Sequence, residues 1–425
     1  MSEIKDHRSA SVPIFKNERP EDTGKVRRVF NPATGFQENK YPIAIDEASG
    51  HAHSGPQIVS MELSSMCNLR CIMCGFHSIH KKDRGEGRHM PMELFTRTVP
   101  FMERAELVPL CGGGEPLLNP SFCQMLRKIT DIGVPTTITT NGILLTPKRI
   151  EEIVEAGLTY IEISVDGTLS YERIRGVPFL RLEKNLTNLA RYKKDNNNRT
   201  PIIDLSYTAM RDTLGELDDI VKLGAEIGVR EIRVQPLQIC FAQLIDQNIY
   251  QDRARSISYI QKAKEKAESL GMKLIVRRLT FLDDERYGDD EDANYYLKKY
   301  NCLEPFNSMT ILADGRIQVC CAGITLTESL WTHTPDEIWN SDNMKRLRQE
   351  LIKGEFRKRC KSCNLIHGSK ENQVIMQDKV TLSALLRMER KAFLLYREHL
   401  KKRGIVKGNL DALKRLYNDL AGGME

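Results

Sequence analysis

Beyond residue 56 the apolar positions fall into a rhythm. "QIVSMELS" (57–64), "AELVPLCGGGEP" (105–116), "VPTTITTNG" (134–142), "TYIEISVDG" (159–167), "IIDLSYTAM" (202–210) and "VREIRVQPLQ" (229–238) are short apolar or alternating runs that read as strands. Segments of helical spacing lie between them: Pro91–Glu103, then 121–133, 146–157, 179–194 and 217–228, with 256–271 following. In "FLRLEKNLTNLARYKK" Leu182, Leu186 and Leu189 share one helical face. Strand and helix alternating about six times predicts parallel βα units joined by right-handed crossovers. The expected fold class is α/β: a partial (β/α)6 TIM-like barrel of parallel strands with a small C-terminal β-hairpin/helix extension. Chemistry then belongs at the C-terminal ends of the strands.

The flanks break the rhythm. Residues 1–56 are polar without clear periodicity and read as an irregular arm. "LDDERYGDDEDANYY" (282–296) is an acidic loop that reads as solvated surface. "SMTILADGRIQVCC" (308–321) predicts two short strands around the turn Ala313-Asp314-Gly315. "DEIWNSDNMKRLRQELIKG" (336–354) predicts a helix, and the basic, helically patterned stretch 380–422 is expected to pack on its own domain. The expected units are an arm (1–56), a barrel (57–280), an extension (281–372) and a helical tail (373–425). With 40% hydrophobic and 28% charged residues in 425, the chain has globular composition. A net charge of +6 gives no ground for a nucleic-acid partner. No signal-like apolar start and no apolar run of ~20 residues is present, so the expected location is cytoplasmic, without a membrane span. In that compartment thiols stay reduced, and eleven cysteines suggest metal or redox chemistry.

Candidate chemistry begins directly after the first strand, where "CNLRCIMCGF" places Cys67, Cys71 and Cys74 within eight residues. The spacing admits a zinc site completed by His77 or His80, or an iron–sulfur cluster. Three thiolates on a four-iron cluster would leave one iron open to a small molecule. The second strand ends in "CGGGEPLLNP", whose glycines let backbone approach a ligand and whose Glu115 could pair with an ammonium group. No Gly-Lys-Ser/Thr follows, so this is no P-loop. "SVDG" ends another strand, with Ser164 and Asp166 suited either to sugar hydroxyls or to a turn.

CxxxCxxC, Gly-Gly-Glu-Pro, "TTNG" and "SVDG", in this order over roughly residues 57–240, resemble the radical S-adenosylmethionine superfamily. The resemblance implies that Cys67, Cys71 and Cys74 hold a 4Fe-4S cluster whose open iron chelates S-adenosylmethionine. It implies that Gly113, Gly114 and Glu115 meet the methionine ammonium group, and that Ser164 and Asp166 meet the ribose. Met73 stands where relatives often carry an aromatic residue against adenine. Cys302, Cys320, Cys360 and Cys363 form C-x12-G-x4-C followed by CxxC. Alone the spacing could bind zinc; in this context it resembles a SPASM or twitch extension with an auxiliary 4Fe-4S cluster. Cys321 is an alternative ligand to Cys320. Cys111, Cys123 and Cys240 are expected in the core, and Cys240 could face the pocket.

The resemblance implies an oxidoreductase that reductively cleaves S-adenosylmethionine and abstracts a substrate hydrogen, fed by a flavodoxin- or ferredoxin-type donor. The arm lacks a strand–helix pattern of a peptide-docking domain. The expected substrate is therefore a small polar molecule such as a sugar or cyclitol alcohol, which the enzyme oxidises. Peptide or protein side-chain modification is the alternative, as is epimerisation with Cys240 or Cys321 returning a hydrogen atom. A non-catalytic iron–sulfur module is a third reading.

Overall fold

The computed structural model describes residues 45–83, 85–238, 240–276, 302–320 and 323–361. The acidic stretch 282–296, the basic stretch 380–422, Cys321 and Cys363 lie outside them. The strands are β1 (Ile45–Asp46), β2 (His51–Ala52), β3 (Ile58–Met61), β4 (Val108–Leu110), β5 (Thr136–Thr140), β6 (Tyr160–Ser164), β7 (Ile202–Ala209), β8 (Glu231–Pro236), β9 (Lys273–Val276), β10 (Ser308–Ile311), β11 (Arg316–Gln318) and β12 (Thr325–Ser329). A parallel six-stranded sheet runs in the order β4-β5-β6-β7-β8-β9, the architecture of a partial TIM-like barrel.

Local signals set the helices. Phe122–Ile132 stops at Gly133, whose φ of 82° is a left-handed cap that other residues adopt at a cost. Pro147–Glu155 starts where the Thr146 hydroxyl accepts from Arg149 N. Each helix buries its apolar stripe: Leu182, Leu186 and Leu189 all have no exposed surface. The strands alternate. Ile161, Ile163, Ile203, Leu205, Ile232 and Val234 lie in the core. A side chain at Gly224, in the helix Leu217–Ile227, would touch Ile232, which fixes that face against the helices. The opposite face is polar. Glu162, Asp204 and Glu231 stand in register, as do Ser164, Ser206 and Arg233. Arg233 pairs with Glu162 at 3.2 Å and Asp204 at 2.9 Å, and Thr139 donates to Glu162 at 3.2 Å.

Several expectations change. The first strand, β3, lies outside the six-stranded sheet. It pairs in parallel with β10, in the four-stranded order β12-β11-β10-β3, and reaches the β4 side through the bridge Ile58–Leu107. The hairpin β10–β11 is therefore built onto the barrel's first strand. β9 and β12 are strands that the sequence reading does not include. The helix expected over 336–354 is two helices, Pro335–Trp339 and Asp342–Ile352. They break because Ser341 caps the second, accepting from Met344 N, while Asn340 pairs with both N and O of Ala52. The end of the arm is ordered too: β1 and β2 form a hairpin held by that contact, by Trp339 Nε1 on Ser54 O, and by Arg348. Among the described residues no helix is long and apolar enough to cross a membrane.

Candidate active site

Parallel pairing brings the C-terminal ends of β3 to β6 to one side, and the predicted motifs arrive there together. The loop after β3 carries Cys67, Cys71 and Cys74; Cys71 is buried and the other two half-buried. Each sulfur faces an N–H donor. Leu69 N lies 3.4 Å from Cys67 Sγ, His77 N lies 3.3 Å from Cys74 Sγ, and Arg175 Nη1 lies 3.9 Å from Cys71 Sγ. Burial pushes the Cys67 thiol up and the Cys71 thiol to about 11. Thiolates here need a strong local cation, and donors aimed at sulfur are what a cluster's thiolates accept. The donor set fits a cluster.

The glycine turn after β4 is held by close approach. A methyl on Gly114 would lie 2.3 Å from Met66 O and 2.4 Å from Ser64 O. Gly113 N donates to Glu62 Oε2 at 2.7 Å, and Glu115 N donates to Met66 O at 2.7 Å. The turn is thereby fastened to the start of the cysteine loop. Glu115 is almost fully buried. Its Oε1 accepts from the Thr140 hydroxyl at 2.7 Å and Leu117 N at 3.3 Å, and its Oε2 from Asn141 N at 2.9 Å. A carboxylate has about four acceptor positions, so one on Oε2 remains for an ammonium group. Burial raises the Glu115 pKa; these hydrogen bonds and the charge of Arg175 work against it.

Asp166 departs from expectation. It lies beyond the end of β6, where the strand's alternation no longer applies, and is fully buried. Its Oδ2 accepts from Arg175 Nε at 2.8 Å and its Oδ1 from Thr208 N at 2.8 Å. Ser164 is the last residue of β6 and is half-buried. Met73 packs against Ile174, Met210, Leu237 and Leu244, and Cys240 Sγ lies 3.3 Å from where a side chain on Gly75 would begin. Cys240 thus abuts the cysteine loop. Burial pushes the Cys111 thiol up to about 12, and Cys123 sits beside Arg149 Nη1 at 3.7 Å.

Sequence reasoning missed four supporting residues. Glu62 bridges Gly113 N and Ala313 N, tying the glycine turn to the β10–β11 hairpin. Asn141 joins β5 to the loop through Asn68 Oδ1 at 2.9 Å and Cys67 Sγ at 4.0 Å. Tyr171 and Arg175, on the helix Tyr171–Arg175, close the Cys71 side. Only long-range contacts reveal them, although Asn141 stands within the quoted "TTNG".

In the second cysteine set, Cys302 and Cys360 are buried and Cys320 is half-buried. A methyl on Gly323 would lie 2.9 Å from Arg359 Nη1, so the helix Lys358–Lys361 bearing Cys360 sits against the turn after Cys320.

The profile of the radical SAM superfamily matches residues 61–233, and that of an iron–sulfur cluster-binding domain, SPASM, matches 302–364. The chain carries a radical SAM domain and a SPASM domain. The radical SAM domain implies S-adenosylmethionine and a 4Fe-4S cluster as cofactors, and the SPASM domain implies auxiliary iron–sulfur binding. AdoMet-dependent heme synthase of Methanosarcina barkeri is 28% identical over 177 residues, 41% of this chain; the chain spans about half (49%) of that relative's length. PqqA peptide cyclase of Bradyrhizobium diazoefficiens is 23% identical over 329 residues, 72% of this chain and 78% of that protein. Among solved structures, Streptococcus suis SuiB bound to precursor peptide SuiA has a TM-score of 0.54 at 15% identity, covering 74% of this chain and 70% of that one. This last likeness concerns the fold.

Proposed function

We propose that this radical SAM enzyme modifies a peptide. The single observation that carries the reading is the extent of the match to PqqA peptide cyclase. It runs over 329 residues, nearly twice the 177 shared with the heme synthase. The expectation of a small sugar or cyclitol alcohol as substrate is overturned by this relationship. That expectation rested on the missing docking pattern in the arm, and such a pattern is too weak a signal to exclude a peptide. The surface agrees with an extended partner. Among the large apolar side chains exposed, Met66, Phe76 and Ile79 belong to the cysteine loop and Leu169 to the loop after β6. Exposed apolar side chains beside a site suit a macromolecular ligand better than a hydroxylated small molecule.

In this reading Cys67, Cys71 and Cys74 hold the first cluster, and the buried carboxylate of Glu115 orients S-adenosylmethionine through its ammonium group. Gly113 and Gly114 admit it closely, and Ser164 receives the ribose. When bound, these cofactors supply hydrogen-atom abstraction from an unactivated carbon. Cys302, Cys320, Cys360 and Cys363 would ligate the auxiliary cluster. The polar face led by Glu162, Ser206, Thr208 and Arg233 positions the reacting side chain.

The test is anaerobic turnover of the reconstituted protein with S-adenosylmethionine, a reductant and synthetic peptides encoded by short reading frames beside its gene. We expect peptide-dependent 5′-deoxyadenosine and a change in the peptide's mass. Turnover of a cyclitol or sugar alcohol with no response to any peptide would sink the proposal.

A further inference from the structure

Tyr171 and Arg175 stand four residues apart on one short helix, so their side chains leave the same face. Arg175 is nearly fully buried, pairs with Asp166 and reaches toward Cys71 Sγ at 3.9 Å. Tyr171 has no exposed surface. Its ring packs edge-on against Phe179, with centroids 5.5 Å apart. Its hydroxyl has no hydrogen-bond partner among the described residues. The charged or titratable groups close enough to act on it are Arg175, Asp166, Cys71 and Glu115. Cys71, Glu115 and Asp166 are residues that the resemblance assigns to the cofactors, and Asp166 is tied to Arg175.

Buried hydroxyls are rarely left without a partner, because dehydrating one without replacement is unfavourable. The carboxylates nearby have partners of their own: Asp166 accepts from Arg175 and Thr208 N, and Glu115 accepts from Thr140, Leu117 N and Asn141 N, with its one remaining position on Oε2 assigned above to the ammonium group. Burial holds the proton on the phenol, so the group is a donor. No acceptor among the described residues reaches this donor, and the groups acting on it include Cys71 and Glu115, which the resemblance assigns to the cofactors. We propose that the Tyr171 hydroxyl is a positioning residue that donates a hydrogen bond to the anionic group held beside Cys71. That group is either a sulfur of the cluster or the carboxylate of the methionine moiety. The inference stands independently of the peptide substrate.

The experiment compares reconstituted wild type with Tyr171→Phe at equal iron content. One arm is an EPR-monitored redox titration without S-adenosylmethionine, followed on the signal that S-adenosylmethionine perturbs. The other is equilibrium binding of S-adenosylmethionine. If the acceptor is a cluster sulfur, the midpoint potential falls, because hydrogen bonds to sulfur favour the more negative reduced cluster. If it is the carboxylate, the potential holds and the dissociation constant rises by about tenfold. Either result supports the proposal and names the acceptor. Movement in neither overturns it and leaves Tyr171 a packing residue. Should Tyr171→Phe fail to retain iron, 3-fluorotyrosine at position 171 keeps the shape and strengthens the donor. It should then shift the responding quantity in the opposite direction, and no shift overturns the proposal.

Discussion

Glu115 shows how much one buried side chain is asked to do. Its two oxygens fix Thr140, Asn141 and Leu117, and so hold the ends of β4 and β5 at one spacing. Replacing it with Gln preserves shape but removes the charge that would meet an ammonium group. A charge-assisted contact of this type contributes ~1.5–3 kcal/mol, so Glu115→Gln should weaken S-adenosylmethionine binding by about tenfold or more. Iron content should not change, since Glu115 is not a ligand. Unaltered affinity in equilibrium titration would remove the role. The pH dependence has a definite sign. Burial raises the Glu115 pKa, so the charged form is lost on acidification earlier than for an exposed glutamate. Affinity should fall as pH is lowered through that value in wild type and stay flat in Glu115→Gln. The candidates for this site were legible in the sequence, because Cys67, Cys71, Cys74 and Glu115 follow strands at recognisable spacings. The pairing of Asp166 with Arg175 and Thr208 N was not legible, because Asp166 lies beyond the end of β6 and its partners come from other elements.

The glycine turn after β4 carries the logic at the scale of an element. Gly114 is required by approach and not by its backbone angle: any side chain there meets Met66 O and Ser64 O. Both contacts are backbone, which cannot rotate away. Gly114→Ala should therefore push the start of the cysteine loop outward. We expect reconstituted protein to drop from about eight irons to about four, on the stoichiometry of two four-iron clusters. Cys67→Ala/Cys71→Ala/Cys74→Ala should give the same count, and full iron in that triple variant would defeat the ligand assignment. Helix ends were the elements most readable in advance, since Gly133 and Thr146 act within a turn of themselves. The break at Asn340-Ser341 was not, because it is decided by Ala52, nearly three hundred residues away in sequence.

For the whole molecule, the central fact is that the extension shares a sheet with the barrel. β10 pairs with β3, and Glu62, just past β3, reaches both the glycine turn and Ala313 N. A second tie is Arg348, which has no exposed surface and donates to Gly50 O, Pro305 O and Trp339 O. Its guanidinium also lies over the Trp339 ring, 4.4 Å from the centroid. Arg348→Met would strand these carbonyls, and each buried acceptor left without a donor costs about 1–3 kcal/mol. We expect about 3 kcal/mol or more of lost stability in urea unfolding of the holoprotein, with the first cluster's iron retained under native conditions. A loss below about 1 kcal/mol would show that water replaces the guanidinium. The sequence by itself determined the βα repeat, the helix caps, the two cysteine sets and the order of the cofactor motifs. All of these are local: periodicity, turn chemistry and ligand spacing act over a few residues. The tertiary structure alone decided which strand the hairpin joins, which carboxylate is paired with Arg175, and which buried hydroxyl is left without a partner among the described residues. Those outcomes depend on pairing and burial between distant segments, where a hydrogen bond is made or denied by neighbours that no short stretch of sequence contains.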